Sequence, residues 1–209
     1  MDRLPSDYLY PIITIVLSYL LGSISGSMVM GTLSSTDIRK KGSGNAGATN
    51  ALRVMGFKFA FGVFLIDILK GFVSAQYVSS LFTVASTNQI ILCGIAAVLG
   101  HVYPIFYNFR GGKGAATLVG ALLVLYPQSI PLALIVWIAT IVLSGYVGLA
   151  TMLAGCSLPL MVFINQKEGF LLYIFLSLLI IFTHRSNIIR MINKNENRFE
   201  KAMIFKKKN

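Results

Sequence analysis

Seven apolar runs, separated by short polar breaks, are the feature that most constrains this chain of 209 residues. The runs cover about 8–33, 57–80, 88–107, 114–126, 130–146, 148–165 and 169–184. A helix needs only about 20 apolar residues to cross the hydrocarbon layer of a membrane. Charged residues make up 12% of the chain, about half their share in an average soluble domain. The sequence therefore predicts an all-α integral membrane protein.

The charge distribution indicates how these runs are arranged. The stretch 114–165 is compatible with three shorter helices, or with two longer ones and a re-entrant piece. The net charge is +11, and the cations concentrate in 39–58, in 110–113 and from Arg185 onward. Cationic loops stay on the cytoplasmic side. Seven transmembrane helices, with the N-terminus outside and the C-terminus cytoplasmic, satisfy this rule. We predict one transmembrane domain, 1–209, with a short basic cytoplasmic tail at about 190–209.

The polar segment 34–56 contains a glycine-rich loop that is followed by an arginine. Glycine lets backbone N–H groups approach an anion closely, and arginine matches phosphate oxygens with a fork of donors. The loop matches the pattern G-x-G-x-x-G, but it follows a charged run rather than a buried strand, which argues against dinucleotide binding. A plain flexible loop remains the alternative. The predicted phosphate-binding residues here are Gly42, Ser43, Gly44, Asn45, Gly47, Thr49, Asn50 and Arg53.

A second glycine loop contains Lys113 and lies before the fourth apolar run. It differs from the ATP-binding P-loop, because Tyr107 stands where the first glycine is required and Gly114 follows the lysine. We predict that Lys113 supplies a point charge, flanked by backbone N–H groups at the start of a helix. A tight turn between helices is the alternative. The predicted binding residues are His101, Gly111, Gly112, Lys113, Gly114 and Thr117.

Ionisable residues inside the apolar runs suggest further lining of a polar site. Asp67 and Lys70 lie three residues apart on one helical face, and each charge costs about 2.5–3.5 kcal/mol at mid-membrane. They therefore either pair with each other or line a cavity. Ser23 lies in a stretch of small residues in the first run, where helix packing and cavity lining are both compatible with its type.

The last apolar run ends on a cluster of polar residues. His184, Asn187 and Arg190 are spaced i, i+3, i+6 and share one helical face that could donate hydrogen bonds to a substrate. The alternative is that His184 caps the helix and that Arg185 reaches toward lipid headgroups.

Several kinds of chemistry lack their motifs. The sequence contains no nucleophile elbow and no cluster with metal-ligand spacing. Cys93 and Cys156 lie in apolar runs and are expected to be small buried residues. We therefore expect no metal, no cofactor and no nucleic-acid partner. Catalysis would depend on substrate orientation and charge stabilisation.

Taken together, these motifs resemble the acyl-phosphate-dependent glycerol-3-phosphate acyltransferases of bacteria, the PlsY family. The resemblance spans nearly the whole chain. The chain departs from the family in two respects. Ser25 stands where many relatives have proline, and Lys194 replaces the glycine of a Gly-x-Glu pattern in the tail, so the role of Glu196 is not carried over. The matching segments are Ser18–Ile24, Gly42–Asn50 with Arg53, Asp67–Gly71, Gly100–Gly114, and His184–Ile188 with Arg190.

The resemblance implies a seven-helix protein of the bacterial cytoplasmic (inner) membrane with its active site on the cytoplasmic face. It implies transfer of a fatty acyl group from acyl phosphate to the 1-hydroxyl of glycerol 3-phosphate, giving lysophosphatidic acid and phosphate, without acyl-CoA as donor. The predicted catalytic residues are Ser43, Arg53, Lys113, His184 and Asn187, and the predicted lining residues are Ser23, Asp67, Lys70, Arg185 and Arg190.

The expected partners are the two substrates and membrane lipids. We expect a monomer that can associate with the enzyme that produces acyl phosphate. An organophosphate anion transporter is the rival hypothesis, since its loops would also bind phosphate. A carrier needs its anion site near the midplane with access from both sides, whereas the predicted motifs lie together at one face.

Overall fold

The computed structural model describes residues 5–204, and Lys206–Lys208 of the predicted tail lie outside the described residues. Within this range every regular element is helical, apart from turns, and the chain forms two compact units that divide after Leu125. The first unit contains α1 (Pro5–Gly22), α2 (Gly26–Ser34), α3 (Ala48–Met55), α4 (Phe57–Val73), α5 (Thr87–Val102) and α6 (Ala115–Leu125). The second contains α7 (Ser129–Ser144), α8 (Val147–Ile164), α9 (Phe170–Thr183) and α10 (Arg185–Ile192).

Each of the seven predicted apolar runs contains a helix, and 114–165 forms three separate helices. Among the described residues, Leu9–Ser34, Thr87–Tyr107 and Val147–Ile164 are long and apolar enough to cross a membrane. The pair α9–α10, bent by 49°, would be a fourth span, whereas α6 and α7 are shorter apolar helices. The all-helical membrane fold is thus confirmed. Seven crossings and the orientation of the termini stay predictions.

The first apolar run, expected to be one helix, is interrupted between Gly22 and Gly26. An ion pair on α4 accounts for the break. Lys70 Nζ donates to the Ile24 carbonyl oxygen at 2.8 Å, and the Gly26 amide donates to Asp67 Oδ1 at 3.3 Å. Backbone groups that leave a helix inside a membrane need such partners. The apolar composition of the run gave no sign of the break, since its cause lies on another helix.

Close helix contacts in the first unit depend on glycine. A side chain at Gly71 of α4 would overlap the Thr117 carbonyl oxygen of α6, and one at Gly120 of α6 would overlap the Ile68 carbonyl oxygen of α4. Gly22 of α1 lies similarly against the backbone of α5. Small residues at these seams let the backbones approach, as is usual for helices that pack in membranes.

Gly71→Ala is expected to destabilise the first unit, because its methyl group meets rigid backbone rather than a side chain. Overpacking of this kind costs about 1–3 kcal/mol. Gly62→Ala on the same helix is the matched control, because its methyl would lie 2.7 Å from Sδ of the flexible Met30 side chain. Thermal unfolding in detergent should separate the two variants. Equal melting temperatures for both would contradict the proposed tight seam.

In the second unit, the described part of the tail returns to the turn between α7 and α8. The Phe199 amide donates to the Gly145 carbonyl oxygen at 2.8 Å, and the Ile204 amide donates to the Val142 carbonyl oxygen at 3.2 Å. The Arg198 guanidinium stacks 4.7 Å from the centre of the Tyr146 ring. The tail therefore holds a defined place against this turn as far as Ile204.

Candidate functional site

The first glycine loop is organised around the buried amide of Asn50 on α3. Asn50 Nδ2 lies within 3.1 Å of the carbonyl oxygens of Ile38, Lys41 and Asn45, and Asn50 Oδ1 accepts the Ser43 amide at 2.8 Å. The side chain is 1% exposed. We predicted that Asn50 contacts phosphate. In the structure, its side-chain amide makes hydrogen bonds to the backbone of the loop. These hydrogen bonds fix the backbone of the loop that carries Ser43.

Backbone geometry explains the glycines of this loop. Gly42 and Gly44 have positive φ values of 60° and 72°, which side-chain-bearing residues adopt at a cost. Gly47 is the N-cap residue of α3, which begins directly after the loop. The first-turn amides of α3 point toward this end, and the exposed Arg53 lies in its last turn. Ser43 and Asn45 are half-buried, and Thr49 is exposed.

Arg39 joins the first loop to the second. Its guanidinium pairs with the Asp37 carboxylate at 2.9 Å and also donates to the carbonyl oxygens of Tyr107 and Arg110 at 3.4 and 3.3 Å. A cavity of about 340 Å³ lies between the two loops. The cavity is lined by residues of both loops, by the Asp37 carboxylate and by three cations: Arg39, Lys40 and Arg110. The excess of positive charge favours an anionic occupant.

The Asp37–Arg39 pair gives a pH-dependent contribution to stability. The hydrogen bond from Arg39 holds the pKa of the Asp37 carboxyl below its usual value of 3.8. Its stabilising effect is therefore complete above pH 3.8 and is lost as pH falls through the lower folded-state pKa. Asp37→Asn should lower stability near neutral pH by at most about 1 kcal/mol. Melting curves should show this difference disappearing only below pH 3.8; its loss already at mildly acidic pH would contradict the assignment.

The second glycine loop folds back onto the end of α5. The Gly111 and Gly112 amides donate to the carbonyl oxygens of Val102 and His101 at 3.2 and 3.1 Å. These two N–H groups, which we expected to flank an anion, are thus engaged within the loop. Gly114 has a φ of 88° and leads into α6. The groups of this segment that could contact an anion are therefore the exposed Arg110, the half-buried Lys113 and the first-turn amides of α6.

Beneath this loop lies a cluster of three buried ionisable side chains. Lys70 Nζ is 3.0 Å from Asp67 Oδ1 and 2.8 Å from His101 Nδ1, and His101 Nδ1 is 3.3 Å from Asp67 Oδ1. The predicted pairing of Asp67 with Lys70 is confirmed. All three side chains are at most 4% exposed. His101, predicted to bind phosphate, instead turns its ring into this cluster.

Two further predicted residues are buried between helices. Ser23 Oγ donates to the Tyr19 carbonyl oxygen at 2.9 Å and accepts the Ile105 amide at 3.4 Å, so it ties α1 to the second loop. Thr117 lies against Gly71 at the α4–α6 seam and is fully buried. Within residues 5–204, its hydroxyl is one of the buried side-chain groups for which no hydrogen-bond partner is found.

In the second unit, α10 and the tail meet at a buried carboxylate. Glu196 accepts a hydrogen bond from Asn187 Nδ2 at 2.9 Å through Oε1, and from Arg190 Nε through Oε2. Asn187 and Arg190 therefore share a face, as their spacing predicted. Gly148 of α8 packs directly against the Asn187 side chain. Glu196 fixes which way the Asn187 amide points.

His184 and Arg185 occupy the junction of α9 and α10. His184 is buried, and its Nδ1 lies 2.8 Å from the Ile180 carbonyl oxygen. That contact places the proton of a neutral ring on Nδ1 and makes Nε2 the acceptor. Arg185 is exposed, donates to the Phe182 carbonyl oxygen at 3.1 Å and stacks on the Phe182 ring. These contacts hold the Arg185 guanidinium at the end of α9.

Two residues that contact these segments were not among the predicted site residues: Arg39 and Glu196. Arg39 belongs to the charged run before the first loop, and its bridging contacts join residues about 70 positions apart. The charge of that run was visible in the sequence, but the partner was not. No group of three or more His, Cys, Asp or Glu residues that could hold a metal is found in the described part of the chain.

Comparisons with known proteins decide the family. A family model described as glycerol-3-phosphate acyltransferase matches residues 12–194. The chain belongs to the glycerol-3-phosphate acyltransferase family. It is 41% identical over 199 residues to a glycerol-3-phosphate acyltransferase of Finegoldia magna, covering 93% of this chain and 99% of that one. It is 42% identical over 192 residues to glycerol-3-phosphate acyltransferase 2 of Bacillus anthracis, covering 90% and 98%.

Solved structures of this family share the fold. The chain superimposes on a crystal structure of PlsY (YgiH), an integral membrane glycerol 3-phosphate acyltransferase, in its glycerol 3-phosphate form. The TM-score is 0.83 at 37% identity, covering 90% of this chain and 95% of that one. The lysophosphatidic acid form of the same protein gives a TM-score of 0.82. The chain is therefore a PlsY-type acyltransferase and an integral membrane enzyme.

Proposed function

We propose that this acyltransferase moves a fatty acyl group from acyl phosphate to the 1-hydroxyl of glycerol 3-phosphate, releasing lysophosphatidic acid and inorganic phosphate. The observation that carries the proposal is the pair of glycine- and cation-bearing loops, joined by Arg39 around a cavity in the first unit. Both proposed substrates bear phosphate, and the loops supply positive charge where phosphate would lie. Membership of the acyltransferase family favours this proposal over the anion-transporter hypothesis.

The proposed step is a direct acyl transfer. The 1-hydroxyl attacks the acyl carbonyl carbon, the carbon–oxygen bond to phosphate breaks, and the phosphate leaves with the bonding electrons. The hydroxyl proton goes to a phosphate oxygen of the substrates. Because a mixed anhydride already has a good leaving group, no protein nucleophile is needed. Fixed cations and N–H donors would stabilise the developing oxyanion.

The proposed site residues divide between phosphate binding and orientation. Ser43, Arg53 and Lys113 of the first unit would hold phosphate oxygens. In the second unit, His184 and Asn187 would orient glycerol 3-phosphate, which accepts the acyl group. Each of these side chains is held by the contacts described above. We further propose seven crossings, a cytoplasmic site at the inner membrane, one catalytic domain, and a monomer that receives acyl phosphate from its producing enzyme.

The test is an assay of the detergent-purified protein with palmitoyl phosphate and glycerol 3-phosphate. Equal amounts of inorganic phosphate and 1-palmitoyl-glycerol 3-phosphate should form, with none when palmitoyl-CoA replaces the acyl phosphate. Turnover with palmitoyl-CoA at a similar rate would refute the proposed donor. Phosphate release without the lipid product would indicate hydrolysis rather than transfer.

Chelation should leave the rate unchanged, because the proposed chemistry uses cationic side chains where other phosphate enzymes use metal ions. The measurement is the same assay before and after treatment with EDTA and dialysis. A rate that falls on chelation and returns on adding one divalent metal would contradict this prediction.

A further inference from the structure

A buried ion cluster outside the proposed acyl-transfer step lies beneath the second glycine loop. We infer that Asp67, Lys70 and His101 are positioning residues that fix the backbone of Gly112 and thereby the place of Lys113. The inference rests on the proposed function, because it concerns the loop that would hold substrate phosphate.

The contacts of Lys70 fix the orientation of the His101 ring. Lys70 Nζ lies 3.0 Å from Asp67 Oδ1, 2.8 Å from the Ile24 carbonyl oxygen and 2.8 Å from His101 Nδ1. An ammonium group has three hydrogens to donate and no lone pair to accept with. His101 Nδ1, which also lies 3.3 Å from Asp67 Oδ1, accepts the hydrogen bond from Lys70 when Lys70 is charged and the ring is neutral, and the ring proton is then on Nε2. With one carboxylate and one ammonium, the cluster is neutral overall.

The other side of the ring supports the glycine loop. A side chain at Gly112 would overlap His101 Nε2 and would lie 2.9 Å from Cε1, so the glycine backbone rests directly on the imidazole. The Gly112 amide also donates to the His101 carbonyl oxygen at 3.1 Å. One residue thus holds Gly112 by its ring and by its backbone. Lys113 follows immediately, and its stem starts from a backbone that the cluster has fixed.

The cluster also holds the chain that leads to the first loop. Asp67 Oδ1 accepts the Gly26 amide at 3.3 Å, and Lys70 donates to Ile24 in the break between α1 and α2. Helix α2 begins at Gly26 and runs directly into the segment that carries Ser43. Asp67 and Lys70 therefore hold the start of the helix that leads to the first loop, and His101 holds the second loop. Misplacement of a substrate-holding group by about 1 Å can cost about 100-fold in rate.

A compensating pair of substitutions tests this assignment. His101→Asn keeps an oxygen acceptor near the position of Nδ1 but removes the outer part of the ring. Gly112→Ala adds the methyl group that collides with that outer part. In the double variant the methyl occupies the space that the ring leaves. Gly111→Ala is the matched control, because its methyl meets backbone carbonyl oxygens and Cδ of Pro104. Shortening the His101 side chain cannot relieve that collision.

We expect Gly112→Ala to lower kcat/KM for glycerol 3-phosphate by about 100-fold. His101→Asn alone should raise KM by about tenfold with a smaller change in kcat. Adding His101→Asn to Gly112→Ala should restore at least about tenfold of the loss, whereas adding it to Gly111→Ala should restore nothing. The inference would be overturned if adding His101→Asn restored no kcat/KM to Gly112→Ala. It would also be overturned if the same addition restored kcat/KM equally to Gly112→Ala and Gly111→Ala. A His101→Asn enzyme with KM and kcat within about twofold of the parent would overturn it as well.

Melting temperatures of the parent and of these five variants separate this inference from the proposed function. Adding His101→Asn to Gly112→Ala should also restore the melting temperature toward that of the parent. Adding it to Gly111→Ala should not. If the parent catalyses no acyl transfer but the recovery in melting temperature is present, the proposed function fails and the hold of the cluster on the loop stands. If neither recovery is seen in an active enzyme, the inference fails and the proposed function stands.

Discussion

Lys113→Ala is expected to lower kcat/KM by about 100- to 1,000-fold, the effect of removing a preorganised charge from an acyl-transfer site that binds phosphate. Within the second loop, Gly111 and Gly112 give their amides to backbone carbonyls. Lys113 is therefore, with Arg110, one of the two cations that this segment could direct at a substrate. The protein should remain folded, because Lys113 is half-buried at the start of α6 and lies outside the close glycine seams.

Arg53→Ala should give a loss of similar size for the first loop. Lys58→Ala is the matched control, since Lys58 is exposed five residues further along and its removal changes the net charge equally. The measurement is the initial rate over a range of both substrates, with melting curves to verify folding. An Arg53→Ala enzyme that behaves like Lys58→Ala would remove Arg53 from the site.

Glu196→Ala is expected to lower both the stability and the activity of the protein by a large amount. Its carboxylate is 3% exposed and accepts hydrogen bonds from Asn187 and Arg190. Removing one partner of a buried ion pair costs about 3 kcal/mol, here toward the low end because the Arg190 side chain is 30% exposed. The apparent melting temperature should fall by about 5–10 °C. The Asn187 amide would also lose its hydrogen bond to this carboxylate.

Glu200→Ala provides the control for this variant, because Glu200 is an exposed carboxylate four residues further along the same tail. It should melt and turn over like the parent. Glu196→Gln should be intermediate, since its amide oxygen still accepts from Asn187 while the charge opposite Arg190 is lost. A Glu196→Ala protein as stable and active as Glu200→Ala would show that the tail carboxylate has no part in holding Asn187.

The sequence shows the residue types of the two loops but not the contacts that their side chains make. Glycines and cations identified both loops, because backbone approach and positive charge are local properties of a segment. Asn50 was predicted to donate to phosphate, yet its amide joins residues up to 12 positions away into one loop. Whether a buried amide serves the substrate or the backbone depends on the fold around it, which local composition does not reveal.

The same limit explains the first apolar run and the role of His101. Hydropathy predicts one helix, since nothing between Gly22 and Gly26 is charged. The break is stabilised by Lys70 and Asp67, more than 40 residues away. The pairing of those two residues was predictable from their spacing on one helix. The third member of the cluster, His101, comes from another helix, and the sequence gives no spacing from which to predict it.

Equilibrium binding of glycerol 3-phosphate to the purified protein, without an acyl donor, tests the central claim most directly. Isothermal titration calorimetry should show saturable binding for the parent and for Lys58→Ala, with inorganic phosphate as a competitor. The account predicts that Lys113→Ala or Arg53→Ala weakens this binding by at least about tenfold, the loss of a charge-assisted contact. Unchanged affinity in both loop variants, with both proteins folded, would contradict the claim that these two loops hold the substrate phosphates.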